Sequence, residues 1–580
     1  MIGVPRTFAA TRTTGLAAAG PVPVRAVSSL SGCDKRSAEP DGGRGVRPGV
    51  AAVIGVAFTF VLPGLLSGCA SLDVRLAESV ERPPRSVVVF FPDGMDVQRM
   101  DELVAEGRLP NIRERFIENG VRVRHAFSSL PTSTYPNCSS LLTGRFPGHH
   151  QIPGNFWFDR RTMECRDYMT LGTCRTVNHH LAVPTLYDWL GDHFTVSIAH
   201  HTYRGVTESI DGAEGFFWAW ALGHYRMADS RVSIAMKEVI RRANRVGRWP
   251  SVVMTYYPGV DEIGHRFGTY SSRYAEALIN VDRIVGEITA LLEKSGLTES
   301  TYCILMADHG MVPARQSIDV LDWMGRVRKV RIRRRSIEAT AYVDRWEQML
   351  NYDAVGGVDA GRVAMVHLRG RRGWGHRPAP QEVLDFANAQ PPLYELPAIQ
   401  MVFLRDGPNR VRALSKNGTL AVERRLAGNE KQYRLSVYEG DPLEYLGEAS
   451  LAEFVRAGWH SSGDWLAATA TSRFPDFVPQ VVEMFDSPRT GDMVIMSADD
   501  WLLYRRGEVA GHGSCLARDM RIPLFFAGPD LPKGGRIDHA RLVDIAPTIL
   551  GLLGESRRLE GVSDIDGINL ADELRRAAAP

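Results

Sequence analysis

The sequence predicts an α/β fold with a mostly parallel central sheet and a large insertion, and three observations carry that prediction. Short β-branched and aromatic runs alternate with helix-like segments, several of these runs stop at turns bearing Asp or His, and the alternation becomes irregular only between about residues 313 and 489. With 580 residues, 44% hydrophobic and 23% charged, the chain is long enough to bury a large core.

Taken in order, Ser86 to Phe91 reads as the first strand, ended by Pro92-Asp93-Gly94. Further strands are predicted over Phe194 to Ala199, Ser251 to Tyr257, Thr301 to Met306, Asp492 to Met496 and Ile522 to Ala527. The clearest helix places Tyr274, Leu278, Val281, Val285, Ile288 and Leu292 at spacings of three and four and closes at Gly296. Residues 313–489 are richer in Pro, Gly and Arg and read as an insertion or cap, since candidate site residues flank them on both sides. Within them Arg326, Arg328, Lys329, Arg331, Arg333, Arg334 and Arg335 partly alternate with apolar residues, which predicts a solvated edge strand. The alternative is a grip on anionic substrate or lipid headgroups.

The N-terminus carries an address. Arg44 and Arg47 precede an apolar stretch from Val50 to Leu66 that ends in Leu66-Ser67-Gly68-Cys69. The last four residues resemble a bacterial lipobox, which implies lipidation of Cys69 and an exported, lipid-anchored protein on the periplasmic or envelope face, at the outer membrane. A single membrane-spanning helix ending near Leu66 is the alternative. The expected organisation is a signal region 1–68, a tether 69–85, a core in two pieces, 86–312 and 490–580, and the insertion 313–489. Cys165 and Cys174 are close enough in sequence to pair in an oxidising compartment, whereas Cys303 lies within a strand and reads as a small buried hydrophobe. There is no CxxC pair to make a thiolate zinc site. The net charge of +2 gives no reason to expect nucleic acid as a partner, and no protein partner is predicted.

Asp93, Asp261, His265, Asp308, His309 and His512 each sit at or just after an apolar run, where open α/β sheets assemble their sites. Nitrogen and carboxylate donors without thiolates suit zinc in an open catalytic site. Thr134, in Pro131-Thr132-Ser133-Thr134-Tyr135-Pro136-Asn137, opens a helix-like run, so the helix dipole and a nearby divalent cation would activate its hydroxyl as a nucleophile. Each residue has a plainer reading alone: Thr134 as a helix cap, Asp261 and His265 as a surface pair, Asp308-His309 as the end of a strand. Their conjunction is what points to a two-metal hydrolase. His149, His150, His200 and His201 read as ordinary loop histidines and stay outside the predicted site.

These residues carry a family resemblance. Thr134 to Asn137, Leu142-Thr143-Gly144, Pro147, His149-His150 and Asn155 are similar to the nucleophile block of the nucleotide pyrophosphatase/phosphodiesterase family, in the alkaline phosphatase superfamily. Asp93-Gly94, Asp261 with Gly264-His265, Asp308-His309-Gly310-Met311 and His512-Gly513 resemble its metal motifs in order, and Val543 to Thr548 its closing segment. The resemblance implies a three-layer αβα alkaline-phosphatase-like core and two zinc ions, one on Asp261, His265 and His512, the other on Asp93, Asp308 and His309 with Thr134 facing it. It further implies that Asn155 and the Thr134 N–H hold a phosphoryl oxygen and that the reaction passes through a phosphothreonine. Small phosphodiesters are the expected substrates: nucleotides, phospholipid headgroups or glycerophosphodiesters. Sulfatases need Cys or Ser in place of Thr134 and Arg in place of Cys138, and cofactor-independent phosphoglycerate mutases use Ser, so both are disfavoured. A Thr-dependent phosphomonoesterase is the nearer rival, because Arg204-Gly205 resembles part of its substrate grip, although Thr202 stands where it needs Lys. A non-catalytic envelope binding protein on the same fold is a further alternative. Trp157, Phe216, Phe217 and Trp218 are candidates to line the substrate groove, with core packing as the plainer role for each.

Overall fold

A computed structural model of the chain describes residues 84–578, apart from 171, 211–218, 335–341, 344–348 and 505–506. Cys69, the signal region and the tether up to residue 83 lie outside the described residues, as do Phe216, Phe217 and Trp218. Strands form at predicted places, β1 (Ser86–Pro92), β3 (Thr195–Ile198), β5 (Val252–Tyr257), β6 (Thr301–Met306), β7 (Arg521–Ile522) and β8 (Leu524–Ala527), and three strands that the sequence reading did not name join them: β2 (Val121–Phe127), β4 (Glu208–Ile210) and β9 (Gly535–Arg541). They build one sheet in the order β7-β2-β8-β6-β1-β5-β3-β4, with β9 paired to β2.

The run β6-β1-β5-β3-β4 is parallel, as expected, with Val87 beside Val252 and Phe91 beside Tyr256. Beyond it the sheet is mixed, because β8 runs antiparallel to both β6 and β2. The run predicted as one strand, Ile522 to Ala527, is split at Pro523, which has no N–H to give to a ladder. β1 shows why a parallel sheet reads as a continuous apolar run. Val88 and Phe90 enter a core formed with α2 (Tyr225–Val246) and α4 (Ser272–Lys294), while Val87, Val89 and Phe91 enter one formed with α1 (Thr134–Thr143) and α5 (Ile545–Leu553). Both faces are therefore covered, giving three layers. A short helix, α3 (Gly259–Phe267), leaves the end of β5. The predicted helix α4 begins at Ser271, whose hydroxyl accepts from the Tyr274 N–H, and Gly296 beyond its end adopts φ +64°.

The irregular stretch builds a second nine-stranded sheet, antiparallel except where Ile332–Arg334 lies parallel to Ala354–Asp359. Ile332–Arg334 is an edge strand, as the arginine run predicts. The arginines are largely engaged within the fold: Arg328 donates to the carbonyls of Phe386, Ala387, Ala389 and Pro391, and Arg331 pairs with Asp353. The predicted strand at Asp492 to Met496 forms over Met493–Ser497, but it lies inside this second sheet, between Val363–Leu368 and Ile399–Arg405. Its apolar run Met493 to Met496 fits a buried position in either sheet, so pattern alone could not assign it. Cys165 and Cys174 pack against different apolar clusters, and Cys303 is buried on β6. Among the described residues no helix is long and apolar enough to cross a membrane.

Candidate active site

The carboxyl ends of β1, β5 and β6 deliver the first ligands, as the topology of an open parallel sheet requires. Asp93 follows β1 directly, its N–H bonded to the Tyr257 carbonyl at the end of β5. Gly94 then turns with φ +64°, and a Cβ there would stand 2.7 Å from the Asp261 carboxylate, so this turn admits no side chain. Asp261 and His265 sit one helical turn apart on α3, on the face turned to the site. Asp308 and His309 follow β6, and a Cβ on Gly310 would lie 2.0 Å from the Arg518 carbonyl, which explains the glycine. His512 arrives from the other side of the chain, its N–H bonded to the Ala360 carbonyl of the second sheet's turn.

These six side chains converge. His309 Nε2 lies 3.2 Å from Asp93 Oδ1 and 3.1 Å from Asp308 Oδ2. Asp261 Oδ1 lies 3.4 Å from His512 Nε2 and 3.5 Å from His265 Nε2. The rings of His309 and His512 stack with centroids 3.4 Å apart, so donor atoms of Asp261, His309 and His512 also fall within 4.8 Å of one another, and the two ligand groups adjoin. Thr134, the first residue of α1 and 8% exposed, places Oγ1 3.4 Å from His309 Nε2.

Two features show what the cluster is built to hold. Each imidazole uses Nδ1 on a backbone carbonyl: His265 on Ala510 at 3.0 Å, His309 on Gly310 at 3.0 Å, His512 on Thr132 at 2.7 Å. That fixes the tautomer and leaves every Nε2 to the cluster, the arrangement of a metal-binding histidine. Meanwhile Asp93 Oδ1, Asp261 Oδ1 and Asp308 Oδ2 are buried with no hydrogen-bond donor. Burying such atoms without a partner is costly, and a divalent cation is the partner this donor set fits. The electrostatics agree. Burial, and then repulsion from Asp308 and Asp261, raises the Asp93 pKa to about 7. Burial disfavours the His265 imidazolium, but the carboxylates of Asp261 and Glu508 outweigh it and raise its pKa to about 9. A cation would displace those protons, so its binding must strengthen with pH.

Around the cluster lie two cavities that share Thr134 and Asp261. One, of about 370 Å³, has an aromatic wall that includes Tyr135, Tyr168, Tyr203, Trp220 and Tyr256. The other, of about 460 Å³, runs past Asn155, His265 and His512 to Val358, Ala360 and Tyr504. Asn155 accepts the Tyr135 N–H on Oδ1 at 3.1 Å, which orients its amide with Nδ2 as the remaining donor.

Comparison with known proteins agrees with the motifs. The family described as type I phosphodiesterase / nucleotide pyrophosphatase matches residues 87–377, half of the chain. The chain belongs to this family. Among curated relatives it is 26% identical over 270 residues to an uncharacterized pyrophosphatase/phosphodiesterase of Schizosaccharomyces pombe, covering 45% of this chain and 50% of that protein. It is 25% identical over 260 residues to ectonucleotide pyrophosphatase/phosphodiesterase family member 1 of Mus musculus, covering 42% of this chain and 26% of that protein. It is 24% identical over 255 residues to venom phosphodiesterase of Macrovipera lebetinus, covering 42% of this chain and 27% of that protein. The matched stretch thus spans half or less of each relative. Among solved structures, murine ectonucleotide pyrophosphatase/phosphodiesterase 5 aligns with TM-score 0.47 at 16% identity, over 81% of this chain and 95% of that one.

Within this family member, one predicted site residue lies elsewhere. Arg204 lines neither cavity; its guanidinium is held by Asp188 at 3.1 and 3.2 Å and by the carbonyls of Leu181 and Val183, partners adjacent only in space. Trp157 is 1% exposed and donates to the Tyr168 hydroxyl, so it belongs to the core. Conversely, sequence reasoning passed over His200, His201, Tyr256 and Glu262, which line the aromatic cavity. The Tyr256 hydroxyl bonds Asp93 Oδ2, and His201 stacks on Tyr135 at 4.6 Å. The position of Tyr256, five residues before Asp261 at the end of a strand, was the available signal. His149 lies in a separate ionic cluster with Glu483, Asp486 and Asp566.

Proposed function

We propose that this chain is a metal-dependent hydrolase of phosphodiester or pyrophosphate bonds in small molecules, with Thr134 as nucleophile and two zinc ions as cofactors. The observation that carries the reading is the set of three buried carboxylate oxygens without donors, gathered around Nε2 atoms beside the Thr134 hydroxyl. Asp261, His265 and His512 would hold one ion, and Asp93, Asp308 and His309 the other. Bound there, the ions supply positive charge that acidifies a hydroxyl and stabilises phosphoryl and leaving oxygens.

The chain's own groups do the rest. Thr134 Oγ1 attacks phosphorus as the bond to the leaving oxygen breaks, forming a phosphothreonine that water then cleaves at the same phosphorus. Asn155 Nδ2 and the Thr134 N–H, at the positive end of α1, would hold a non-bridging oxygen as charge accumulates on it. Burial of Thr134 and all of α1 keeps the nucleophile in one position. The engagement of Arg204 with Asp188 removes the guanidinium on which a phosphomonoesterase reading depended, which favours diesters.

A bis-aryl phosphate, an aryl monophosphate and an aryl sulfate, compared on the purified protein, test this reading. The diester should be hydrolysed fastest and the sulfate not at all; faster monoester turnover would contradict the proposed class. We further propose export with a lipid anchor at Cys69. Mass spectrometry of the native N-terminus should find a lipid-modified Cys69, and an unmodified chain retaining earlier residues would refute it.

A further inference from the structure

We propose that Arg362 and Asp519, a fully buried ion pair, are positioning residues for the ion held by Asp261, His265 and His512, which makes the 313–489 insertion a working part of the metal site. The inference rests on the two-ion reading above and concerns what holds its ligands still.

Five of the ligands leave the ends of β1 and β6 or stand on the helix that follows β5, but His512 stands on a loop just beyond the two-residue strand Ala510–Gly511. Other segments must therefore satisfy and place its backbone. The His512 N–H donates to the Ala360 carbonyl at 2.9 Å, the Gly513 N–H to the Thr132 hydroxyl at 2.8 Å and the Ser514 N–H to Asp519 Oδ1 at 3.1 Å. The Thr132 hydroxyl donates in turn to the Ser514 carbonyl at 3.2 Å. Gly513 turns with φ +123°, and a Cβ there would stand 2.8 Å from Val363 Cγ1, so the loop lies directly against the second sheet.

The ion pair closes these contacts into a ring. Arg362, two residues after Ala360, donates from Nε and Nη2 to the two carboxylate oxygens of Asp519 at 2.9 and 3.1 Å. Its Nη1 donates to the carbonyls of Ala498 and Trp501 at 3.0 and 2.9 Å. The path runs from His512 through Ala360 to Arg362, across to Asp519, and back through Ser514 to His512. Both side chains are 0% exposed, and only the planar guanidinium fork can make these four bonds at once; a Lys ammonium has three protons and no fork. Asp519 also accepts the Gly310 N–H on its backbone carbonyl at 2.9 Å, beside His309. A change of side chain at 519 leaves that backbone bond in place, so it should disturb the His512 ion and spare the other.

Zinc release from the purified full chain under increasing chelator tests the inference without turnover. Two steps are expected, and His512→Ala identifies the one that belongs to its ion. Arg362→Lys and Asp519→Asn should each weaken zinc binding in that step by about tenfold or more, the range found when a ligand loses its supporting partner, and leave the other step in place. Activity lost in either variant should return at saturating zinc. Asp492→Asn is the control, since it weakens the buried pair with Arg160 elsewhere in the second sheet; it should lower the melting temperature and move neither step. Equal shifts of both steps, no shift in either variant, or the same shift in Asp492→Asn would overturn the inference and reduce the pair to a prop of the fold. If Arg362→Lys fails to fold, Asp519→Asn decides the matter, because it keeps the shape and an acceptor for the Ser514 N–H. Two zinc steps in a chain that hydrolyses no diester would refute the proposed function and leave this inference standing; a chain that binds no zinc would refute both.

Discussion

Among the described residues, histidines and carboxylates gather with the spacing of a metal site in two places, a partly buried one around His149 and a buried one around His309, and the two differ in how their charges are met. Around His149, both ring nitrogens face carboxylates: Asp566 at 2.5 Å from Nδ1, Glu483 and Asp486 at 2.7 and 2.9 Å from Nε2. Arg424 and Lys431 add two cations to Glu483, and the Tyr433 hydroxyl takes its other oxygen. Around His309, among the described residues, no arginine or lysine pairs with the ligands, and one oxygen each of Asp93, Asp261 and Asp308 lacks a donor. Density of ligand-type residues is therefore a poor sign of a cation site. The informative sign is carboxylate charge that the protein itself leaves unanswered. The first cluster ties α-helical core, second sheet and C-terminal segment together; the second is poised to bind.

Thr134→Ala sharpens the contrast most strongly. It should lower turnover of a diester by several orders of magnitude and leave bound zinc nearly unchanged, because six ligands remain. Activity retained in that variant, measured beside its metal content, would defeat the covalent mechanism.

In the other cluster the effect should fall on stability. Glu483→Gln would leave His149, Arg424 and Lys431 facing one carboxylate fewer in a buried setting, at a cost of about 3–5 kcal/mol in unfolding free energy. Denaturant unfolding reads the loss, and zinc content should not follow it. Zinc lost in proportion to Glu483→Gln would mean that this cluster, too, holds a cation.

A smaller, pH-dependent effect has a definite sign. Burial opposes the His149 imidazolium, but Asp566, Asp486 and Glu483 raise its pKa well above the usual value. Its contribution is fully present below the unfolded value of about 6.5 and is lost as pH rises through the raised folded value. Burial pushes Glu483 up, yet His149 and Lys431 bring it down to about 2, so its contribution holds above about 4.5 and is lost as pH falls toward 2. His149→Gln should flatten the alkaline decline in melting temperature; an unchanged decline would show that other groups govern it.

The sequence exposed the ligands because each stands beside a feature visible in one dimension. Asp93 follows an apolar run at Pro92-Asp93-Gly94, Asp308-His309 ends another, and Asp261 and His265 share a helical face. The parallel half of the central sheet was legible for the same reason. What could not be read depends on contacts between distant segments. Asp566 lies 417 residues from His149, Asp188 captures Arg204 across a turn, and the largely apolar strand Met493–Ser497 fits either sheet. The aromatic cavity escaped because its rings come from separate loops, helices and the end of β5, and each alone looks like core.

Metal content measured together with activity tests the central claim most directly. The fully active protein should carry two zinc ions per chain; His265→Ala or His512→Ala should deplete one, while Asp93→Ala or His309→Ala should deplete the other and also silence Thr134. A preparation that is fully active with no more than one ion per chain would contradict the account.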